Sequence, residues 1–277
     1  MMMQRHFHQK VAVVTGAGSG IGRAISIQLA KTGAKLVLAA RREGPLEKLA
    51  AELSPAEALP CPTDVTVPGE VRWLMEQAVK HFGRIDYLFN CAGVFKAGGM
   101  GGLSMESLRQ MMETNYMGTV HCVRAAVPLM RRQGGGHIIT LSSLAGKYPF
   151  PGSSAYSASK FAVAGMSNAL RRELKPEYIH VTAVYPSFVR SPLLEGHLES
   201  VKNTLFFRLT GDYSPEQAAA AILRAVAKKK RELVIPPFTR LTVPLYGLFP
   251  GLVETLIGKL CGGWPSYDEP ASAPPRA

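Results

Sequence analysis

The sequence is poor in cysteine and in long apolar runs. It has four cysteines in 277 residues. They lie far apart without histidines at zinc-site spacing, which excludes a disulfide-rich miniprotein and predicts reduced thiols and no bound metal. The uncharged, mostly apolar stretch Leu241–Val253 contains two prolines and is well short of the ~20 residues of a membrane-spanning helix. We therefore expect a cytoplasmic protein whose contact with a membrane, if it has one, is peripheral.

Acidic residues are also scarce. Lys and Arg number 32 against 20 Asp and Glu, a formal net charge of +12. This charge favours an anionic partner such as nucleic acid, an anionic membrane surface or a phosphorylated small molecule. We expect no nucleic-acid partner, because the sequence has no zinc-finger spacing, helix-turn-helix signature or RNP-like aromatic pattern. The hydrophobic content of 47% is enough for a globular core and excludes a disordered chain.

Short, nearly continuous apolar segments alternate with amphipathic helical patterns. This alternation predicts an α/β fold, a doubly wound parallel sheet of about seven strands with helices on both faces. The predicted strands are Val11–Thr15, Lys35–Ala39, Ala58–Thr63, Tyr87–Cys91, His137–Ser142, His180–Tyr185 and Leu233–Ile235. The predicted helices include Gly20–Lys31, Pro68–Phe82, Ser104–Arg132 and Ser154–Leu174, and Ser214 is the expected N-cap of a later helix.

A glycine-rich segment, Thr15–Gly22, joins the first predicted strand to the first predicted helix. Its glycines follow the pattern G-x-x-x-G-x-G rather than G-x-G-x-x-G. The physical reason for either pattern is the same, since glycines allow a tight turn and the close approach of a pyrophosphate, whose charge the helix N-terminus stabilises. Three such glycines are weak evidence alone, but their position between strand and helix predicts a dinucleotide site.

Tyr156 and Lys160 lie four residues apart, on one face of a predicted helix, and Ser143 precedes them at the end of a predicted strand. A phenol titrates near pH 10, and a nearby ammonium group favours the phenolate. Such a tyrosine can exchange a proton with an alcohol or a ketone. A tyrosine–lysine pair at this spacing also arises by chance, so the pair indicates a catalytic site only together with other motifs.

These motifs, with Asn90-Cys91-Ala92-Gly93 and Asn115, resemble the short-chain dehydrogenase/reductase family in order and spacing over about two thirds of the chain. The resemblance implies an NAD(P)-dependent enzyme that interconverts a secondary alcohol and a ketone by hydride transfer. Tyr156 would be the general acid/base, and Lys160 would hold the nicotinamide ribose and lower the pKa of the tyrosine. Ser143 would bind the reacting oxygen, and Asn115 would order a water leading from Lys160 to solvent.

The resemblance also supplies cofactor contacts. Asp64 and Val65 match the family's adenine contact. Two positions depart from the family pattern, Cys91 and Ser187, and we expect Cys91 to be a small buried hydrophobic residue. The candidate cofactor-binding residues are Gly16, Ser19, Gly20, Ile21, Gly22, Arg41, Arg42, Asp64, Val65, Asn90, Ala92, Gly93, Tyr156, Lys160, Pro186 and Val189.

The end of the second strand predicts which dinucleotide is bound. An acidic residue there would bind the adenosine ribose hydroxyls and repel a 2′-phosphate, but Ala40 occupies the position and Arg41 and Arg42 follow it. The sequence therefore predicts NADP(H) in preference to NAD(H). The alternative is that both arginines are a solvated helix start.

We predict one NAD(P)-binding domain over residues 1–240, with a substrate-covering segment at about 187–212. Apolar residues recur in that segment at helical spacing, which favours a hydrophobic substrate of a lipid, steroid or 3-oxoacyl type, although such a stripe also serves ordinary packing. The resemblance implies a homodimer or homotetramer, paired through the long helices after strands four and five. The alternative function is a non-catalytic dinucleotide sensor or a membrane-associated scaffold on the same fold.

The C-terminal part has a different pattern, predicted as an apolar, amphipathic extension over 241–265 and a disordered tail over 266–277. Apolar residues recur every three or four positions between Leu245 and Leu260, so a helix beginning at Pro250 has an apolar face. This face either packs on the fold or a second subunit, or contacts anionic lipid with help from the basic run Lys228–Arg231. The extension weakly resembles the tails of membrane-peripheral family members that reduce lipid or steroid ketones.

Overall fold

Short apolar segments form the strands of the sheet. The computed structural model describes residues 2–193, 204–210, 213–261 and Asp268; the rest of the predicted substrate-covering segment and of the predicted tail lies outside the described residues. The strands are β1 (Val11–Thr15), β2 (Lys35–Ala40), β3 (Ala58–Pro62), β4 (Tyr87–Asn90), β5 (Gly136–Leu141), β6 (Ile179–Pro186) and β7 (Glu232–Ile235). Each predicted strand is confirmed to within one residue at either end.

The sheet is parallel throughout the described chain, with seven strands in the order β3-β2-β1-β4-β5-β6-β7. All five residues of β1 are buried, as expected of a strand covered on both faces. Ala12 and Val14 belong to one core cluster and Val13 to the other, because successive side chains of a strand point to opposite faces. The fold is the predicted doubly wound, Rossmann-like α/β architecture.

The helices cover both faces of the sheet. They are α1 (Met2–Phe7), α2 (Gly20–Ala30), α3 (Glu43–Glu52), α4 (Pro68–Phe82), α5 (Met105–Met112), α6 (Gly118–Arg132), α7 (Ser154–Glu173), α8 (Leu205–Thr210), α9 (Pro215–Ala227), α10 (Thr242–Leu248) and α11 (Pro250–Cys261). Residues of α2, α3 and α9 line the core on one face, and residues of α4 and α6 line it on the other.

Local sequence signals explain several helix ends. Pro68 begins α4, where its missing N–H costs nothing, and Gly83 ends it in the left-handed conformation at φ +79°. Ser214 caps α9 with a full capping box, in which its side chain accepts from the Gln217 N–H and the Gln217 side chain accepts from the Ser214 N–H. The predicted bounds of α4 and the predicted N-cap of α9 are confirmed.

The predicted helix Ser104–Arg132 is helical from Met105 onwards but not regular. Ser104 is its N-cap, accepting a hydrogen bond from the Ser107 N–H at 3.2 Å. A π-helical turn, Glu113–Met117, interrupts the α-helical bonding between α5 and α6. Hydrophobic periodicity does not reveal such a turn, and π turns are frequent at functional sites.

The C-terminal helices α10 and α11 divide their apolar residues between two faces. Val253 is 4% exposed, and Ile257 packs with Val243 on a buried cluster beside β6 and β7. On the outer face, Leu248 is 73% exposed and Leu252 56%. The helix predicted from Pro250 is confirmed, and its inner face packs on its own fold. Among the described residues, no helix combines the length and apolar character needed to cross a bilayer.

Candidate active site

The glycine-rich loop lies at the carboxyl edge of the sheet, between β1 and the first turn of α2. Gly16 has φ +67°, and a Cβ atom there would lie 2.9 Å from the backbone of Cys91 and Ala92. A Cβ atom on Gly22 would lie 2.4 Å from the carbonyl oxygen of Gly16. Both positions therefore need glycine, and the loop leaves the N-terminus of α2 facing the edge of the sheet, where its N–H groups favour an anion.

The middle of the loop faces the chain that follows β6. Ser19 directly precedes α2, and its side chain makes no capping hydrogen bond. Gly20 has φ +52°, and a Cβ atom there would lie 3.2 Å from Cβ of Ser191. The start of the predicted substrate-covering segment therefore passes over the glycine-rich loop. Ile21 packs against the core, so its side chain anchors the glycine-rich loop to the core.

Thr15 joins the glycine-rich loop to the loop after β4. Its Oγ1 accepts hydrogen bonds from the backbone N–H groups of Cys91 and Ala92 at 3.0 and 3.2 Å, and its hydroxyl faces the backbone oxygen of Phe89 at 3.4 Å. Burial raises the pKa of the Cys91 thiol to about 12, and Cys91 packs against the core, as expected for a small hydrophobic residue. Asn90 is 3% exposed at the end of β4.

Tyr156 and Lys160 lie one turn apart on α7, and Ser143 follows β5 at the same edge of the sheet. Lys160 is 5% exposed, and its Nζ donates a hydrogen bond to the backbone oxygen of Leu141 at 3.0 Å. The same nitrogen lies 5.5 Å from the centre of the Tyr156 ring. The Ser143 hydroxyl is near enough to Tyr156 to lower the pKa of its phenol, and the Ser143 Oγ accepts from the Ala145 N–H at 3.1 Å. The structure thus brings the three predicted groups together.

Burial controls the charges in this cluster. It raises the pKa of Tyr156 to about 12, while the hydrogen bond with Ser143 acts in the opposite direction. It lowers the pKa of Lys160 to about 8, because the ammonium group is desolvated. Desolvation of the phenolate therefore dominates at Tyr156, and a lowering of its pKa by Lys160 stays a prediction. A phenol with a raised pKa is protonated near neutral pH and can donate its proton.

Asn115 holds the loop after β4 against α7. It is 1% exposed within the π-helical turn. Its Oδ1 accepts from the Val94 N–H at 2.7 Å, and its Nδ2 donates to the Val94 oxygen at 3.0 Å and to Ser159 Oγ at 2.9 Å. Gly93 lies beside it, and a Cβ atom there would make a tight contact with Asn115 Oδ1 at 3.2 Å. These contacts give Asn115 a positioning role, and the water implied by the resemblance stays a prediction.

Residues 10–202 match the family model of short chain dehydrogenases, which is more than half of the chain. This chain belongs to the short-chain dehydrogenase/reductase family. Dehydrogenase/reductase SDR family member 7B of Bos taurus is 34% identical over 269 residues, which cover 93% of this chain and 83% of the relative. An uncharacterized oxidoreductase of Listeria innocua is 34% identical over 241 residues, covering 83% of this chain and 97% of that protein.

Solved structures agree in fold. A short-chain dehydrogenase/reductase from Burkholderia phymatum, solved in complex with NAD, has a TM-score of 0.80 at 30% identity, covering 89% of this chain and 96% of that chain. L-Sorbose reductase from Gluconobacter frateurii, solved with NADPH and L-sorbose, has a TM-score of 0.75 at 28% identity, covering 83% of this chain and 95% of that chain. The chain is thus a short-chain dehydrogenase/reductase, an oxidoreductase with a nucleotide-binding fold.

In this short-chain dehydrogenase/reductase, Asp64 and Val65 have clear structural roles. Asp64 Oδ1 accepts hydrogen bonds from the Thr66 N–H and hydroxyl at 2.9 and 2.8 Å, which forms a turn before α4. Val65 is 6% exposed and packs on Gly118, where a Cβ atom would lie 2.6 Å from Val65 Cγ2. An adenine contact at this pair stays a prediction.

Arg41 and Arg42 lie beside the glycine-rich loop. They follow β2 at the carboxyl edge of the sheet, and both are exposed. Arg42 directly precedes α3. A Cβ atom on Gly18 would lie 3.5 Å from Cβ of Ala40, so the end of β2 adjoins the loop. Both arginines thus follow a strand end that adjoins the loop, and their contact with an adenosine ribose stays a prediction.

Pro186 lies beside Ser143, and Val189 follows Pro186 three residues later in the chain. Pro186 ends β6, and its carbonyl oxygen lies 3.4 Å from Ser143 Oγ, which donates to it. Val189 is 3% exposed and pairs with Tyr213 in an isolated bridge. Pro186 is thus held next to Ser143, and a contact of Pro186 or Val189 with the nicotinamide stays a prediction.

The sequence analysis missed Phe95. Its ring packs edge-to-face on the Tyr156 ring, with centroids 4.8 Å apart and planes at 86°. Asn115 fixes the preceding residue, Val94, through two hydrogen bonds. The only signal in the sequence is an aromatic residue two positions after the Asn90–Gly93 motif. Its contact with Tyr156 depends on the tertiary fold.

Proposed function

We propose that the chain is an NADP(H)-dependent oxidoreductase that interconverts a secondary alcohol and a ketone, with a hydrophobic substrate. The observation that supports this proposal most directly is the arrangement of the partly exposed Tyr156 and Ser143 with the buried Lys160 beside the glycine-rich loop. Each group has a fixed partner, and all lie at the carboxyl edge of the sheet, where doubly wound folds bind their ligands.

The chain's residues fit a dinucleotide. Gly16 and Gly22 form a turn that no larger residue could adopt without moving backbone atoms, and the turn leaves the first N–H groups of α2 facing the edge of the sheet. These groups would hold the pyrophosphate, and Lys160 the nicotinamide ribose. The bound dinucleotide would supply the hydride for the reduction.

The protein's own residues handle the proton. For a ketone oxygen within reach of Tyr156 and Ser143, the serine hydroxyl donates a hydrogen bond and the phenol transfers its proton to the developing alkoxide. The Lys160 ammonium stabilises the phenolate left behind. Its lowered pKa of about 8 leaves most of the lysine charged at pH 7. Oxidation of an alcohol uses the same groups in reverse.

A substrate screen tests the reaction class. NADPH oxidation is measured with ketosteroids, 3-ketosphinganine-like and 3-oxoacyl lipids, and small aromatic ketones. We expect turnover with at least one apolar class, and a higher kcat/KM for it than for small polar ketones. A protein that binds NADPH but turns over none of these classes contradicts the proposal and favours the dinucleotide sensor.

The preference for NADP(H) is supported by charge at the end of β2. Ala40 leaves no carboxylate to repel a 2′-phosphate, and the exposed Arg41 and Arg42 provide cations next to the loop. We expect kcat/KM to be at least about tenfold higher with NADPH than with NADH, and Arg41→Asp to move the preference toward NADH.

Steady-state kinetics with both cofactors check this prediction. Arg132→Asp is the matched control, because it makes the same charge change at an exposed position in the last turn of α6, at the opposite edge of the sheet. The control keeps the wild-type preference. A wild-type enzyme that prefers NADH overturns the assignment of Arg41.

Peripheral membrane contact is supported by the outer face of the C-terminal helices. Leu248 and Leu252 are more than half exposed, and Leu256 is 48% exposed. The basic run Lys228–Arg231 comes directly before β7, and the C-terminal helices come after it. The basic run and the apolar face are therefore at opposite ends of a strand about 13 Å long. The apolar face, rather than the basic run, therefore supports lipid contact.

Flotation with vesicles of phosphatidylcholine and phosphatidylserine tests this contact. We expect the wild-type chain to float, and the double variant Leu248→Glu, Leu252→Glu to stay in the dense fraction, because carboxylates on this face oppose burial in lipid. Tyr178→Glu, at a position 76% exposed elsewhere, is the control and floats like the wild type. A wild-type chain that does not float ends the membrane proposal.

A homodimer or homotetramer is supported by exposed apolar residues on the long helices. Met105 on α5 is 60% exposed and Phe161 on α7 is 42% exposed. Pairing of these helices with a second copy would cover both side chains. Light scattering on the purified chain measures the mass, and a monomeric mass at micromolar concentration contradicts this assembly.

A further inference from the structure

Ser143 begins a short loop that runs directly to a buried aromatic residue. Its Oγ accepts from the Ala145 N–H, and the Gly146 N–H donates to its backbone oxygen at 2.8 Å. Leu144–Gly146 forms one 3-10 turn, and the Tyr148 N–H closes the loop by donating to the Leu144 oxygen at 3.1 Å. A displacement of Tyr148 is therefore transmitted to the backbone that carries the Ser143 hydroxyl.

One side of this loop is held by α7. A Cβ atom on Gly146 would lie 2.4 Å from Ser142 Oγ and 2.6 Å from the backbone oxygen of Lys160. The Ser142 hydroxyl itself donates to that oxygen at 2.8 Å. The loop thus lies directly against the helix turn that carries the catalytic lysine.

The opposite side is held by the C-terminal helices. Tyr148 is 1% exposed, and its ring centroid lies 5.1 Å from that of Phe150 and 5.8 Å from that of Tyr246 on α10. The Thr242 hydroxyl donates to the Tyr148 phenol oxygen at 3.5 Å. Ile257 on α11 packs on the same cluster. These contacts lie on the side of the sheet formed by β6 and β7, whose Ala183, Tyr185 and Val234 belong to the same cluster.

We propose that the C-terminal helices are a positioning element for Ser143, with Tyr246 acting through Tyr148 to hold the serine hydroxyl at the reacting oxygen. The inference rests on the proposed function for its kinetic consequence. With Tyr246 truncated, the loop keeps its contacts with α7 and loses one of the rings that pack on its outer side, so the Ser143 hydroxyl is less well placed. Misplacement of a catalytic group by about 1 Å costs up to about 10²-fold in rate.

The first test is a split between kcat and cofactor binding. We expect Tyr246→Ala to lower kcat about tenfold or more, while the Kd for NADPH changes less than about twofold, because the glycine-rich loop is remote from α10. Tyr246→Phe retains the ring and restores the wild-type kcat. Leu252→Ala, on the outer face of the neighbouring helix, is the matched control and leaves kcat unchanged. A wild-type kcat in Tyr246→Ala overturns the inference.

A double-mutant cycle shows whether the effect passes through Ser143. If it does, Tyr246→Ala has little further effect in a Ser143→Ala background, because the serine hydroxyl is already absent. If the fold-losses in kcat of the two single variants multiply in the double variant, the inference is overturned, because Tyr246 then acts independently of Ser143. A fall in NADPH affinity of the single variant, matching its fall in kcat, also overturns it, since general loss of structure then explains the rate.

Hydrogen exchange gives a readout that does not need turnover. In Tyr246→Ala we expect faster exchange of the Ala145, Gly146 and Tyr148 amides, and unchanged exchange of the Ala92 amide bound to Thr15. Unchanged exchange of all four amides overturns the inference. If the wild-type enzyme turns over no ketone, the proposed function fails while hydrogen exchange still decides whether the C-terminal helices hold the Ser143 loop.

Discussion

Replacing Tyr156 by phenylalanine is expected to lower kcat by about 10²–10⁴-fold, the usual contribution of a positioned general acid or base. The substitution removes one hydroxyl and keeps the ring, so the edge-to-face contact with Phe95 at 4.8 Å is retained. Because burial raises the pKa of Tyr156 to about 12, the wild-type phenol carries the proton that a ketone needs. The variant has no proton to donate at that position.

The measurement is kcat with the best ketone from the screen, together with NADPH affinity by fluorescence. We expect affinity within about threefold of wild type, since the Lys160 side chain and the glycine-rich loop are untouched. Tyr178→Phe, which removes a hydroxyl from a side chain 76% exposed, is the control and keeps full activity. Near-wild-type turnover by Tyr156→Phe would show that another group supplies the proton.

Gly22→Ala is expected to destabilise the protein and to weaken dinucleotide binding together. The new Cβ atom would lie 2.4 Å from the Gly16 carbonyl oxygen and 2.8 Å from its carbon. Both are backbone atoms that no rotamer change can move aside. Overpacking of this kind costs about 1–3 kcal/mol, or several °C in Tm for a chain of this size. Since Gly16 must shift, we also expect the Kd for NADPH to rise at least about tenfold.

Thermal unfolding and NADPH titration measure the two effects. Gly69→Ala is the matched control, because it adds the same methyl group to an exposed first turn of α4, where the nearest atom is the far end of Arg72 at 3.9 Å. The control keeps its Tm or gains slightly, since alanine is the better helix former. An unchanged Tm and Kd in Gly22→Ala would mean that the loop tolerates a side chain there, against the geometry described above.

Local signals in the sequence were sufficient for most of the fold. Helix α4 was predicted at its observed bounds because Pro68 and Gly83 mark its ends, and β1 because the apolar run Val11–Val14 follows a polar segment. Helix α1 was missed because it is short, and Phe7 is buried only through contacts with residues far along the chain. The π-helical turn was missed because its bonding changes without a change in hydrophobic pattern.

The sequence predicted which residues lie together in the candidate site, but not how burial shifts their pKa values. Tyr156, Lys160 and Ser143 are brought together as the motifs implied. The direction of the Tyr156 pKa shift depends on how far the phenol is desolvated, and burial follows only from tertiary packing. For the same reason the sequence could show an apolar face on α11, but could not show that Val253 faces inward and Leu252 outward.

The hydrogen bond between Thr15 and the Ala92 amide has a consequence for how the protein is made. The two residues are 77 positions apart, and a ribosome adds about 5–20 residues per second. For about 4–15 s after Thr15 is synthesised, β1 therefore has no β4 beside it and its second edge is bare. An uncovered apolar strand edge invites pairing with other chains. Before Ala92 has emerged, the nascent chain should thus depend on chaperones to protect this edge of β1, and that need ends once β4 pairs with it.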